Sequence, residues 1–446
     1  MPQLIPPPEL YSLLVWFAPC FTAPSFAHFV SFIVCFCSGL GRVTATTVYR
    51  TSMALGHWTN YSRFLSSYRW SVQALSARLL ELLISRCGLW LDDQGRRRLC
   101  VLIDETIVPK SSKRMDGVAW HRNTHGGWCR GTHILGHYWL MVGLLLRVAG
   151  RTMCLPLAFG LYRQKKRCPA EEYRTPCQSA LALLQSLPWP QAPDLVRTVV
   201  ADAGFADKAL LQWCAQNDFV AIVRGRIDAR GHDLYVEQPR RGRRRVWGAP
   251  LSLVEFAADP ANFTQTITLY RQRLAVQIAS LVGRHRQSGL PMRWVILRTA
   301  GKPDAVVMST DLSLTPREIA GLYADRSQIE MTFRELKQHF GLGDYQVRLP
   351  EAMLRHVHLS GLACALTQLL TLRPTAGRAK RLLFPAKATP WRRYDTRSVR
   401  ETQLRLRLAC QLPRPLSQVA PGRPHREKKQ SAIPAHTTPK MATRKC

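Results

Sequence analysis

Apolar residues recur with helical period between Thr315 and Gly341, where Leu322, Ile329, Phe333, Leu336 and Phe340 fall on one stripe. The ends of the segment are marked as well. Thr315 supplies an N-cap hydroxyl, Pro316 the first helical position, Glu318 the capping-box carboxylate and Gly341 a left-handed C-cap. Together they predict one helix of about seven turns. Beside its apolar stripe runs a polar row, Tyr323, Arg326, Glu330 and Lys337, at offsets that fall within a sector of roughly 60°. Glu330 and Lys337 stand two turns apart, beyond the i,i+4 spacing of an ordinary surface ion pair.

Elsewhere the pattern alternates between helices and buried strands. Ser71 is placed to cap a helix over VQALSARLLELLISRC that Gly88 closes. An apolar run from Leu99 to Val108 predicts a buried strand with a carboxylate, Asp104, in its middle, and two further strands follow in THILGHYWLMVGLLLRV and RTMCLPLAFGLYR. Next come a helix in EEYRTPCQSALALLQSL, a strand ending at Asp202, and a helix entered through Gly204. Isolated aspartates are disfavoured in strands, so Asp104 and Asp202 each require a reason. The 127 residues between Asp202 and Glu330 exceed what one crossover needs, and their runs DFVAIVRGR, DLYVEQ, FTQTITLYRQ, RLAVQIASLV, RWVILRT and AVVMST read mainly as strands.

The expected organisation is an N-terminal helical, DNA-binding domain at 1–95, a first catalytic part at 96–217 and a β-rich insertion at 218–312. The catalytic helix and the remainder of that domain follow at 313–371, then a basic, disordered tail at 372–446.

Charge narrows the partners. A formal net charge of +34 over 446 residues points to a polyanion, nucleic acid or an anionic membrane surface. Part of the excess lies from Arg373 onward, with 19 Lys and Arg against 3 Asp and Glu. In the N-terminal region Arg42, Arg50, His57, Arg63 and Arg69 alternate with Tyr49, Trp58, Tyr61, Phe64, Tyr68 and Trp70, a mixture suited to DNA. The uncharged stretch from Leu10 to Gly41 resembles a membrane span, but Pro19, Pro24 and His28 interrupt it, which favours a buried helix and no membrane role. Thirteen cysteines without a C-x-x-C pair argue for reduced thiols and a cytoplasmic setting.

Two strand carboxylates and one helical carboxylate in a strongly basic chain suit phosphodiester cleavage and strand transfer, chemistry in which two divalent ions are held by Asp and Glu. Oxygen-only ligation fits Mg2+, or Mn2+, rather than zinc. Arg326 and Lys337, on the face of Glu330, would then hold phosphates.

The spacing Tyr323-x2-Arg326-x3-Glu330-x6-Lys337, after VLIDET with Asp104 and VVADAGF with Asp202, resembles the DDE transposases of bacterial insertion sequences in the branch with a Tyr-Arg-Glu-Lys signature. The resemblance spans about Arg42 to Leu370. It implies an RNase H-like catalytic domain, mixed α/β, interrupted by a β-rich insertion and preceded by the helical domain. It also implies a homodimer acting on double-stranded DNA, both terminal inverted repeats and target, in the bacterial cytoplasm and on the nucleoid. By that likeness Asp104, Asp202 and Glu330 are catalytic metal ligands, while Tyr323, Arg326 and Lys337 contact DNA. Trp294, which opens RWVILRT, occupies the place of a tryptophan that stacks on a flipped base in similar transposases.

Two other readings compete. His121, His125, Cys129, His133 and His137 recur every four residues, as zinc ligands on a helix would, but Gly126, Gly127 and Gly131 oppose a helix, and these side chains are expected to line the hairpin beside Asp104 or to meet DNA. A catalytically inactive, transposase-derived DNA-binding protein is the alternative function, and the presence of all three carboxylates weighs against it.

Overall fold

A strand as apolar as Leu99–Ile103 has to be covered on both faces, and the chain achieves this with a 13-stranded mixed sheet layered by helices. The computed structural model describes residues 4–411 apart from 53–55, 124–131, 149, 236–237, 239–242, 271–273 and 373–397. Helices α1 (Pro8–Val15), α2 (Ala23–Ser38), α3 (Ala45–Thr51), α4 (Thr59–Ser66) and α5 (Val72–Cys87) open the chain. The uncharged stretch is therefore divided between the end of α1 and the largely buried α2, and among the described residues no helix is long and apolar enough to cross a membrane. Ser71 caps α5 as expected, accepting from the backbone N–H groups of Gln73 and Ala74, and Gly88 ends it at φ +71°.

Then follow β1 (Trp90–Leu91), β2 (Arg97–Pro109), β3 (Ala119–Arg122), β4 (His133–Val148), β5 (Arg151–Tyr162), α6 (Pro176–Gln185), β6 (Leu195–Ala201), α7 (Lys208–Gln216) and β7 (Phe219–Gly225). Strands β2, β4 and β5 form an antiparallel meander, and β6 and β7 join β2 in parallel. The spatial order β5-β4-β2-β6-β7, with three antiparallel strands followed by two parallel ones, is the RNase H-like arrangement. β7 lies in the stretch assigned to the insertion from its pattern, yet its parallel pairing with β6 makes it part of this central set.

Strands β8 (Arg230–His232), β9 (Pro250–Ser252), β10 (Gln265–Leu269), β11 (Leu274–His285), β12 (Pro291–Arg298) and β13 (Ala305–Ser309), with helix α8 (Leu253–Ala258), make up the rest of the insertion. They do not form a sheet of their own. β13 pairs antiparallel with β7, then β12 and β11 follow, so the insertion prolongs the central sheet.

The expected seven-turn helix is two helices, α9 (Pro316–Ala324) and α10 (Ser327–His339). Between them the hydrogen bonds tighten to i→i+3: Arg326 N–H donates to Tyr323 O at 3.1 Å and Ile329 N–H to Arg326 O at 3.0 Å. The capping box at Thr315 and Glu318 is present, and Gly341 takes φ +58°. α9 packs on β7, β12 and β13, whereas α10 packs on β2, β5 and α11 (Pro350–Leu372).

α11 is buried along nearly its whole length because β5 covers one side and α2, α4 and α5 the other. Helix α12 (Val399–Gln411) packs on α2 and α11, so the region expected to be a disordered tail contains a docked helix; 373–397 and 412–446 lie outside the described residues. A buried network ties the turn after α10 to the meander. Lys110 Nζ donates to the carbonyls of Gly343 and Tyr345 at 2.5 and 3.1 Å and lies 3.3 Å from the Tyr345 ring centroid.

A Cβ on Gly361 would run into the Phe159 ring of β5, so this glycine sets how closely α11 approaches the sheet. Gly361→Ala is expected to destabilise the protein by about 1–3 kcal/mol through overpacking, although alanine is the better helix former. Urea unfolding of the two proteins measures the difference.

Candidate active site

Asp104 and Asp202 become neighbours through strand register. Ile103 pairs with Ala201 across the parallel β2–β6 ladder, so the next residue on each strand is an aspartate, and the two backbones lie about 4.8 Å apart. Glu330 reaches the same place from the first turn of α10. Arg326, in the tight turn before α10, joins the set. Its guanidinium meets Asp104 Oδ2 at 2.8 Å through Nη1 and Glu330 Oε1 at 3.2 Å through Nη2. Tyr323, near the end of α9, donates its hydroxyl hydrogen to Asp202 Oδ1 at 3.1 Å. Five residues of the sequence-derived site thus converge, and the break between α9 and α10 does not separate them.

Lys337 is exposed two turns further along α10. Trp294 requires a correction. Its side chain is 0% exposed, and its ring rests on Gly231 and Gly283, where an added Cβ would stand 2.9 Å from ring carbons. It fills the insertion's core and has no open face for a base.

Among the described residues the histidine series does not converge either. His137 Nε2–H donates to the Asp116 carbonyl at 2.8 Å and its Nδ1 accepts from the Tyr345 hydroxyl at 2.6 Å, while burial pushes its pKa down to about 4. Both nitrogens of a neutral ring are used. His121, on β3, has its ring 5.3 Å from that of Tyr138 on the neighbouring β4, and His125 and Cys129 lie outside the described residues.

The site contains a fourth carboxylate that the pattern did not single out. Glu105 is largely buried, its Oε2 has no hydrogen-bond partner among the described residues, and Asp202 acts on it electrostatically. Burial raises its pKa and the Asp202 charge adds to the rise, against a hydrogen bond from Tyr138. The signal was present in the sequence, since two adjacent acids interrupt an otherwise apolar strand. Burial also pushes Asp104 up to about 6; Arg326 opposes this, and the charges of Glu105 and Glu330 reinforce it. Tyr323 is raised to about 12, first by burial, so it stays a hydrogen-bond donor to Asp202.

Among the described residues no three His, Cys, Asp or Glu side chains are close enough to hold a metal. The donor chemistry nevertheless fits a hard divalent cation. All the donors are carboxylate oxygens, and a guanidinium, itself a cation, stands between two of them.

The fold and the paired strand aspartates define an RNase H-like nuclease framework. A family model described as DDE superfamily endonuclease matches residues 17–287, more than half of the chain, which belongs to that family. The matched span contains both aspartates and ends before Glu330. No curated protein matches the chain. Among solved structures, the cryo-EM structure of a piggyBac transposase synaptic complex with hairpin DNA is similar at 10% identity and a TM-score of 0.40, over 87% of this chain and 71% of that one.

Two predictions arise from the site. Asp104, with its pKa raised above the unfolded value, favours folding when protonated, and that contribution is lost as pH rises through about 6. Asp104→Asn keeps the neutral form at every pH. Its stability relative to wild type should therefore improve by up to about 3 kcal/mol between pH 4 and pH 8, as measured by denaturant unfolding at both. Trp294→Ala should cost about 3–5 kcal/mol in the same measurement, the loss expected of a core tryptophan.

Proposed function

We propose that the protein is a transposase of a bacterial insertion sequence, in the branch with the Tyr-Arg-Glu-Lys signature. It cleaves phosphodiester bonds at the ends of its element and joins those ends to target DNA. The observation that carries this reading is the meeting of Asp104, Asp202 and Glu330, from β2, the end of β6 and α10, at one end of an RNase H-like sheet. The family of DDE superfamily endonucleases and the net charge of +34 support it.

Asp104, Asp202 and Glu330 would hold Mg2+, with Mn2+ as a substitute, and Tyr323 orients Asp202 for that task. Two such ions supply the charge that activates an attacking oxygen and stabilises a leaving oxygen. Lys337, exposed on α10, and Arg326 contact phosphates flanking the cut. The protein works as a homodimer, bridging two terminal inverted repeats in the bacterial cytoplasm.

Asp104→Asn, Asp202→Asn and Glu330→Gln should each abolish cleavage of duplex DNA taken from the borders of the coding region, while leaving retention of that DNA in a gel-shift nearly intact. Cleavage at wild-type rate by any of the three variants removes that residue from the site. Lys337→Ala should instead weaken DNA binding and lower the slope of log affinity against log salt by about one unit.

A further inference from the structure

Arg326 bridges two carboxylates that the proposed reaction needs for another purpose. Its Nη1 is 2.8 Å from Asp104 Oδ2 and its Nη2 3.2 Å from Glu330 Oε1, so the guanidinium takes one lone-pair site of each oxygen and sets its own positive charge where a divalent ion would have to approach. Asp202 and Tyr323 also act on the guanidinium electrostatically, so its charge serves the whole acidic cluster. The arrangement is asymmetric in its exposure to water. The side chains of Arg326 and Asp104 are 15% and 14% exposed, whereas that of Glu330 is 61% exposed. One bond of the bridge is sheltered and the other lies in reach of solvent and of an incoming polyanion.

The backbone that leads into this bridge is pinned. Asp325 accepts from Arg147 Nε and Nη2 at 3.1 and 2.7 Å, and the capping box fixes the start of α9. The element free to change is therefore the Arg326 side chain. A phosphate offers a guanidinium the same planar, two-oxygen recognition that a carboxylate does.

We infer that Arg326 is an internal counter-ion that keeps the DNA-free protein from loading metal, and that a DNA phosphate draws the guanidinium away, so that DNA binds before the metal. The inference rests on the metal-site reading given under Proposed function and adds an order of assembly to it. It assigns Arg326 two successive partners, carboxylate and then phosphate. The guanidinium leaves with the DNA phosphate, and the divalent ion then takes its place as the cation beside the carboxylates. A nuclease of this kind would carry no loaded centre while searching for its ends.

Binding of Mn2+ to full-length protein, followed by the loss of the free-ion EPR signal, tests this without a cleavage assay. In the absence of DNA, Arg326→Gln should bind Mn2+ at least about tenfold more tightly than wild type, a change equivalent to about 1.4 kcal/mol. Adding Asp104→Asn to Arg326→Gln should abolish that gain. In wild type, a duplex from the borders of the coding region should raise Mn2+ affinity, and it should raise that of Arg326→Gln much less. This second comparison tests the idea on unmodified protein even if the variant folds poorly. Equal Mn2+ affinity of DNA-free wild type and folded Arg326→Gln, or no gain in wild type on adding the duplex, overturns the counter-ion role. If no form of the protein, with or without duplex, binds Mn2+ in a way that depends on Asp104, the metal-site reading itself fails.

Discussion

Everything at the end of this sheet depends on how concentrated negative charge is tolerated where water is scarce. Asp104, Glu105 and Asp202 occupy adjacent positions on two parallel strands, and Glu330 is brought to them by α10. Two unit charges at about 5 Å repel by about 3 kcal/mol at the effective dielectric of a protein surface layer. Burial adds to that cost, and Asp104 shows the result in a pKa raised to about 6. Such a cluster persists only with a cation beside it or with protons on it. Arg326 supplies the cation in this structure, and Tyr323 and Tyr138 supply hydroxyl hydrogens to Asp202 and Glu105.

The remaining architecture serves to deliver these groups to one point. Parallel pairing of β2 with β6 sets the two aspartates side by side without any contact between their side chains being needed. The helix that carries Glu330 is held from behind by α11, whose lack of a polar face is explained by its burial between the sheet and the N-terminal helices. Lys110, Tyr345 and His137 clamp the turn between α10 and α11 to the strands that carry Asp104 and its neighbours. Protein interiors packed this closely transmit displacements, so the position of Glu330 relative to Asp104 is set by the whole layer.

Much of this was legible in the sequence because it rests on local rules. The caps at Ser71, Thr315 and Gly341, the strand around Asp104 and the strand ending before Asp202 all follow from spacing and turn chemistry. What was not legible depends on long-range partners. The environment of Trp294 is decided by Gly231 and Gly283, from other strands, and a strand-opening tryptophan has the same local pattern whether buried or exposed. The break at Asp325 and Arg326 was hidden for a similar reason. Its residues are ordinary helix formers, and the turn tightens where Arg147 holds Asp325 and the two acids hold Arg326. The parallel addition of β7 to β6 could not be separated from the strands that follow it by periodicity, since β7 and β13 have the same apolar pattern.

That break lies at a seam in the molecule. On one side α9 rests on β7, β12 and β13, the strands by which the insertion continues the central sheet; on the other α10 rests on β2, β5 and α11. Tyr323 reports to Asp202 from the first side and Glu330 stands opposite Asp104 from the second, with Arg326 in the turn that joins them. A straight seven-turn helix would bind both halves into a single rod. Two helices joined by a tightened turn let each half follow its own layer of the sheet while one guanidinium keeps their carboxylates in register. The insertion is thereby connected to the acidic cluster by two routes, through the packing of α9 and its Tyr323–Asp202 hydrogen bond, and through the hydrogen-bonded β13–β7–β6 ladder that ends beside Asp202.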